Sequence, residues 1–237
     1  MRLADRTALV TGASRGIGAA IARRLIGEGA RVALVARTAG PLEALARELG
    51  PRAVPIAADL TAPHASAAVL ERFAAGVGEG PDILVNNAGA FLIASMGETS
   101  TDVFRGMLDT NLVAPFALAS AVVGGMRARG HGHLVSIGSV ADRVVFPGNA
   151  AYAASKFGLR ALHEVLREEL RGSGVRATLV SPGSVDTELW NPIDPDNQPG
   201  FTPRAMMLAP QAVADAVLYA LLAPPTVNVD ELRLTRA

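Results

Sequence analysis

Short runs of β-branched and aliphatic residues alternate along the chain with longer segments in which Ala, Leu and Arg recur at helical spacing. The runs are TALVT (7–11), RVALVA (31–36), AVPIA (53–57), DILVNN (82–87), GHLVSIG (132–138), VRATLVS (175–181) and VNVDELRL (227–234). Most lack period-2 alternation and are almost continuously apolar, the pattern of strands covered on both faces in a parallel sheet. Between them, 16–28, 39–49, 64–77, 102–128, 152–171 and 210–223 read as helices. In AAIARRLIGEG (19–29), Ala20, Ile21 and Leu25 share one face, and Gly27 and Gly29 stop the helix. This alternation predicts a single α/β domain, a doubly wound parallel sheet of about seven strands with helices on both faces. No repeat or linker divides it. The Pro-rich stretch WNPIDPDNQPGFTP (190–203) predicts a loop or lid at 188–207.

Composition narrows the function classes. Half of the 237 residues are hydrophobic and 19% are charged, enough for a sizeable core. Net charge is zero and no basic or acidic block stands out, so neither nucleic acid nor an anionic membrane is expected as partner. There is no cysteine, which removes disulfides, thiolate metal sites and a cysteine nucleophile and fits a reducing cytoplasm, the expected location. No charge-free apolar run reaches about 18 residues and no signal-peptide pattern opens the chain, so a soluble protein is expected.

The first strand runs into glycines and then a helix, ALVTGASRGIGAAIA (8–22). Gly12 permits a sharp exit from the strand. Gly16 and Gly18 remove side chains where a diphosphate would approach the backbone and where the helix must lie close to the sheet. The free N–H groups and dipole at that helix start favour an anion. A tight strand-to-helix turn with no ligand is the alternative reading of glycines at this spacing.

Of the 22 basic side chains, a single one is lysine, Lys156, four residues after Tyr152. One helical turn puts the two on the same face. An ammonium about 5 Å from a phenol oxygen, at an effective dielectric near 20, is expected to favour the phenolate by roughly 3 kcal/mol, moving a poor base toward a useful one. A surface lysine on an amphipathic helix is the ordinary alternative, but the chain places no other lysine on its surface.

TGASRGIG (11–18), NNAG (86–89), Asn111, Ser139, Tyr152-x-x-x-Lys156 and Pro182-Gly183 together resemble the short-chain dehydrogenase/reductase family, over essentially the whole chain and with matching spacing. The resemblance implies a Rossmann-type fold, a nicotinamide cofactor and hydride transfer between that cofactor and a carbonyl or secondary alcohol. It gives Tyr152 the proton transfer, Ser139 a hydrogen bond to the carbonyl oxygen, and Lys156 the ribose hydroxyls and a proton relay. Asn111 would kink its helix and carry a water linked to Lys156. The cofactor would meet Gly12, Ser14, Arg15, Gly16, Ile17 and Gly18 at the glycine turn. Asp59 and Leu60 would edge the adenine, with capping of the next helix as a second role for Asp59. Asn86, Ala88 and Gly89 would lie beside the cofactor, as would Tyr152 and Lys156, and Pro182, Gly183, Val185 and Thr187 near the carboxamide.

An acidic residue about 20 positions after the glycines would bind a free ribose 2′-OH. The second strand ends instead in Ala36 and Arg37. With no carboxylate to repel a 2′-phosphate, and with Arg37 and Arg15 to receive it, NADP(H) is the expected cofactor. Ordinary surface arginines in an Arg-rich chain are the alternative reading of the two, and the missing acid is the stronger half of the argument.

The expected substrate loops are 90–97, 140–149 and 188–207. Their apolar members Phe91, Leu92, Ile93, Val144, Val145, Phe146, Leu189 and Trp190 suggest a hydrophobic ketone, aldehyde or secondary alcohol. The C-terminal TVNVDELRLTRA lacks the tail of relatives that reduce 3-oxoacyl groups on acyl carrier protein, and looks closer to the branch acting on small 3-hydroxy acids. The acyl-carrier activity remains an alternative, as does a non-catalytic NADP(H)-binding sensor or scaffold. No metal is expected: His131 and His133 have no third ligand nearby, and Glu164, Glu168 and Glu169 read as a solvated helix face. Finally, 102–128 and 152–171 carry more apolar surface than one sheet face needs. The stripe of Phe104, Leu108, Leu112, Phe116 and Ala119, with further apolar residues on both helices, suggests a homotetramer or homodimer.

Overall fold

The computed structural model describes all of residues 1–237. Seven parallel strands form one sheet: β1 (Thr7–Thr11), β2 (Arg31–Ala36), β3 (Ala53–Ala57), β4 (Ile83–Asn86), β5 (Gly132–Ile137), β6 (Val175–Pro182) and β7 (Glu231–Leu234). Their spatial order is β3-β2-β1-β4-β5-β6-β7. The chain winds outward one way from β1 to β3, then returns to β4 and winds the other way. The crevice at that reversal, beyond the carboxyl ends of β1 and β4, is where such sheets take ligands.

The helices are α1 (Gly16–Gly27), α2 (Ala39–Leu49), α3 (Ala65–Gly76), α4 (Thr101–Leu108), α5 (Ala114–Arg129), α6 (Ala150–Glu169) and α7 (Pro210–Leu222). Successive residues of each strand point to opposite faces. Ala8, Val10, Val32 and Leu34 therefore face α1 and α7 in one core, while Leu9, Ala33 and Val35 join Phe73, Leu118 and Met126 in the other. Each large core side chain contributes about 1.5–3 kcal/mol by leaving water. Both faces are covered, and this is why the strands read as unbroken apolar runs. The edge strand β7 is the exception, partly exposed throughout.

The segment expected as one helix over 102–128 is interrupted. Asp109–Val113 is a turn of π-helix between α4 and α5, with Asn111 buried inside it. The combined span Thr101–Arg129 is 29 residues long, and its most apolar window has mean hydropathy 1.4, enough by length and composition to cross a membrane. Here it flanks the sheet through Ala114, Leu118, Val122 and Met126. The core-facing stripe thus differs from the expected one: Phe116 turns outward and Leu118 inward, because the π turn rotates everything after it.

Several arginines clamp backbone carbonyls. Arg176 donates to the carbonyls of Leu221 (2.9 Å), Ala223 (3.0 Å) and Val227 (3.3 Å), closing the C-terminal end of α7. A planar five-donor fork suits that task. Two histidines are buried without charge partners in contact. His133 shares a hydrogen bond with Thr178 (2.8 Å), and His163 on α6 meets Ser136 (3.3 Å). Burial is the main cause that pushes them down, to about 3 and about 4 respectively.

Candidate active site

The turn after β1 is built around close approach. A Cβ on Gly18 would sit 2.2 Å from the Gly12 carbonyl oxygen, so only glycine lets α1 lie this near the strand. Gly12 and Gly16 have φ of 64° and 54°, conformations that side chains rarely adopt. No side chain caps the start of α1, so its first N–H groups keep their capacity for an anion. A backbone cradle with no room for a Cβ, beside an uncapped helix start, fits a diphosphate.

This turn opens into one continuous cleft of about 760 Å³. Its walls include Gly12, Ser14, Arg15, Gly16, Ile17, Gly18, Arg37, Asp59, Leu60, Ala88 and Gly89, then Ser139, Tyr152, Lys156, Pro182, Gly183, Val185 and Thr187. Of the residues expected to act in catalysis or to bind the cofactor, only Asn86 and Asn111 lie outside the lining. Asn86 points away from the cleft and donates to the Pro115 carbonyl at 3.2 Å, tying β4 to α5. Its neighbour Asn87 lines the cleft instead, donating to the carbonyls of Thr11 (2.8 Å) and Gly12 (3.3 Å). Thr11 in turn accepts the backbone N–H groups of Asn87 and Ala88, each at 2.9 Å, through its hydroxyl. The two adjacent asparagines look alike in sequence; opposite sides of the strand separate them.

Asn111 is fully committed. Its amide accepts from the Ala90 N–H (2.7 Å) and donates to the Ala90 carbonyl (3.0 Å) and the Ser155 hydroxyl (2.9 Å). The side chain thus joins the loop after β4 to α6, and the π turn is what brings it there. Asp59 accepts the Thr61 N–H (2.9 Å) and hydroxyl (2.7 Å), so it caps the turn after β3 while still edging the cleft. Arg37 lies close enough to help hold its carboxyl below the usual range, though the Thr61 hydrogen bonds are the larger cause.

Lys156, 5% exposed, donates to the Ile137 carbonyl at 2.9 Å. Its ammonium stands 5.7 Å from the Tyr152 ring centre. Burial lowers it to about 8, with the charge of Asp142 opposing. The expectation that Lys156 would draw the phenol down is not met. Burial pushes Tyr152 up and Asp142 adds to this, while the Ser139 hydroxyl acts in the opposite direction. The ammonium addresses the Ile137 carbonyl and the ring rather than the hydroxyl, and desolvation of a phenolate outweighs a weakened cation.

Beyond Tyr152 the cleft is aromatic. Phe91 lies 4.8 Å from Tyr152 and 5.1 Å from Trp190, both edge to face, and Trp190 continues to Phe201 at 6.3 Å. The Trp190 N–H is held by the Val185 carbonyl at 3.1 Å. Ile93, Phe146 and Leu189 also line this end. Leu92, Val144 and Val145 were expected here and are exposed outside it. Phe201, deep in the Pro-rich stretch, was not foreseen. The charged residues of the whole lining are Arg15, Arg37, Asp59, Lys156 and Glu188.

Residues 6–198 match the family described as short chain dehydrogenase. The chain belongs to the short-chain dehydrogenase/reductase family. This short-chain oxidoreductase is 39% identical to glycine betaine reductase of Emericella nidulans over 97% of its own length, spanning 18% of that much longer protein. Among solved structures, it superposes on a metagenomic short-chain oxidoreductase in complex with NADP, with TM-score 0.85, 34% identity and full coverage of both chains. It superposes on serine dehydrogenase complexed with NADP+ in its closed form with TM-score 0.87 and 32% identity, covering 96% of this chain and 94% of that one. The fold, the family and the cleft together make this an oxidoreductase that uses a nicotinamide cofactor.

Proposed function

We propose that the protein is an NADP(H)-dependent carbonyl reductase or alcohol dehydrogenase for uncharged, apolar substrates. One observation carries this reading: a single cleft joins an anion-ready glycine turn flanked by Arg15 and Arg37 to Ser139, Tyr152 and Lys156, and ends in an aromatic chamber. The nicotinamide, when bound, exchanges hydride with the substrate carbon. Tyr152 gives its phenol proton to the carbonyl oxygen in reduction and takes it back in oxidation. Ser139 donates a hydrogen bond to that oxygen. Lys156 holds ribose hydroxyls and, through the Ile137 carbonyl, keeps its place beside the phenol. Asn111 fixes the Ala90 backbone against α6, and Gly89 and Ala90 leave room for the nicotinamide side of the cofactor. Pro182, Gly183, Val185 and Thr187 form the wall toward the carboxamide. The 188–207 segment acts as the lid, carrying Trp190 and Phe201 over the substrate.

The absence of a cation at the aromatic end other than Lys156 favours uncharged carbonyls over small 3-hydroxy acids, whose carboxylate needs a partner. The cluster of aromatic rings at this end favours a second reading, an aldehyde bearing a trimethylammonium group, since aromatic rings attract quaternary cations. Similarity to a glycine betaine reductase points the same way. NADPH oxidation measured against apolar ketones and aldehydes, 3-oxo acids and a trimethylammonium aldehyde tests these. Cofactor binding without turnover on any of them would instead favour a sensor or scaffold.

NADP(H) preference rests on Ala36 and Arg37 at the end of β2. Replacing Ala36→Asp with Arg37→Ala is expected to move the NADPH-to-NADH ratio of kcat/KM toward NADH by ten- to a hundredfold, since a charged hydrogen bond is worth about 1.5–3 kcal/mol. A native protein that already prefers NADH would sink the assignment.

A homo-oligomer, tetramer before dimer, is the proposed assembly. Val113 (51% exposed) at the end of the π turn, Phe116 (53%) on α5, and Phe157 (40%) and Val165 (57%) on α6 leave this outer side apolar. Light scattering at micromolar concentration should give a multiple of the 24.4 kDa chain mass. A stable mass equal to one chain would exclude it.

A further inference from the structure

We infer that Asp142 is a positioning residue of this active site, a buried carboxylate whose charge holds the ammonium of Lys156 and the phenol proton of Tyr152 from behind Gly138. The inference rests on the proposed roles of those two side chains.

Asp142 is fully buried in the short turn that follows Ser139, its N–H donating to the Ser139 carbonyl at 2.9 Å. Its Oδ2 accepts the Ser181 hydroxyl at 2.5 Å. A Cβ on Gly138 would stand 2.7 Å from the Ser181 Oγ and 3.1 Å from the Asp142 Oδ2. The missing side chain at 138 thus lets the carboxylate and the Ser181 hydroxyl lie against the backbone. The preceding residue, Ile137, is the one whose carbonyl receives the Lys156 ammonium at 2.9 Å. Both charged groups thus meet the same Ile137–Gly138 segment, and backbone dimensions put them on the order of 10 Å apart or less. At that range in a dry interior, a carboxylate favours a charged lysine and an un-ionised phenol. The directions found for the two groups agree: Asp142 raises both.

The surrounding charges do not cancel this field neatly. Arg143 Nε lies 3.6 Å from the Asp142 Oδ1, while its terminal nitrogen pairs with Glu231 of β7 at 2.5 Å. Asp142 Oδ1, Arg143 Nε and Glu231 Oε1 are all buried without a hydrogen bond. From α6 come Lys156, Tyr152, His163 and the Arg160–Glu164 pair; from β7, Arg233 stands in register with Ser181. A buried ion-pair cluster with three polar atoms short of a hydrogen bond is a poor device for stability alone. Its placement behind the reacting groups gives the carboxylate another task.

The lone lysine makes a direct test possible. Labelling with 13C-lysine yields one side-chain signal, from Lys156, whose titration by NMR needs no turnover. The native protein should titrate at about 8. Asp142→Asn should lower the midpoint by about half a pH unit or more, and Arg143→Gln, which uncovers the carboxylate, should raise it. In carbonyl reduction, the alkaline limb of kcat/KM should move in the same two directions, because Tyr152 must be protonated to act. A purely structural Asp142 would reduce activity and leave the midpoint in place; that result, or an upward shift in Asp142→Asn, overturns the inference. If Asp142→Asn does not fold, as judged by circular dichroism, Arg143→Gln decides alone, and an unmoved midpoint there overturns it too. A native protein without carbonyl turnover would count against the proposed reaction, while the lysine titration would still decide the role of Asp142.

Discussion

Tyr152→Phe should lower kcat for carbonyl reduction by about a hundred- to ten-thousandfold, the usual range for a positioned acid or base, with NADPH affinity almost unchanged. The ring would keep its edge-to-face contact with Phe91 at 4.8 Å, so the substrate chamber survives and only the proton is lost. Lys156→Arg is the companion test. It preserves charge, but the buried site holds a compact ammonium directed at one carbonyl, and a guanidinium there would have to displace the Ile137 carbonyl or the phenol. A tenfold or greater loss in kcat is expected. Tyr152→Phe activity within about twofold of native, a barrier change of only ~0.4 kcal/mol, would remove Tyr152 from the chemistry.

Mild acid should destabilise the protein well before its carboxylates respond. His133 and His163 are held neutral at about 3 and about 4 in the folded chain. An unfolded histidine protonates near 6.5. As pH falls from 7 to 5, the unfolded state takes up two protons that the folded state refuses, so stability is present above about 6.5 and is lost going down. Linkage gives about 2 kcal/mol for each histidine over that interval. Carboxylates such as Glu28, drawn down to about 2 mainly by its hydrogen bond to Arg2, act only below their unfolded value near 4.5. Urea unfolding at pH 7, 6 and 5 separates the two ranges. The His133→Gln, His163→Gln double variant should lose most of the dependence above pH 5. If it falls as steeply as the native protein, the histidines are not the cause.

Much of the architecture was legible because its causes are local. Strands buried on both faces must be apolar at every position, so β1, β2 and β5 stand within a residue of the runs that announce them. The glycine turn was legible because a tight helix-to-strand approach excludes side chains, as the 2.2 Å clash at Gly18 bears out. Tyr152 and Lys156 were legible because helical spacing alone sets them on one face.

The sequence by itself determined the order of elements, the close-packed glycine turn after β1 and the pair on α6. Other features depend on contacts between segments far apart in the chain, and only the tertiary structure decided them. The π turn exists where Asn111 reaches Ala90 and Ser155, partners 21 and 44 residues away. Asn87 rather than Asn86 faces the cleft because pairing of β4 with both neighbours fixes which side each residue takes. Charge was the least legible property. A phenol four residues from an ammonium reads as an activated base, yet desolvation, set by everything packed around the pair, raises the phenol and weakens the lysine. Asp142 carried no signal in the sequence, because its effect comes from burial behind Gly138 and beside Ser181, which only the assembled sheet provides.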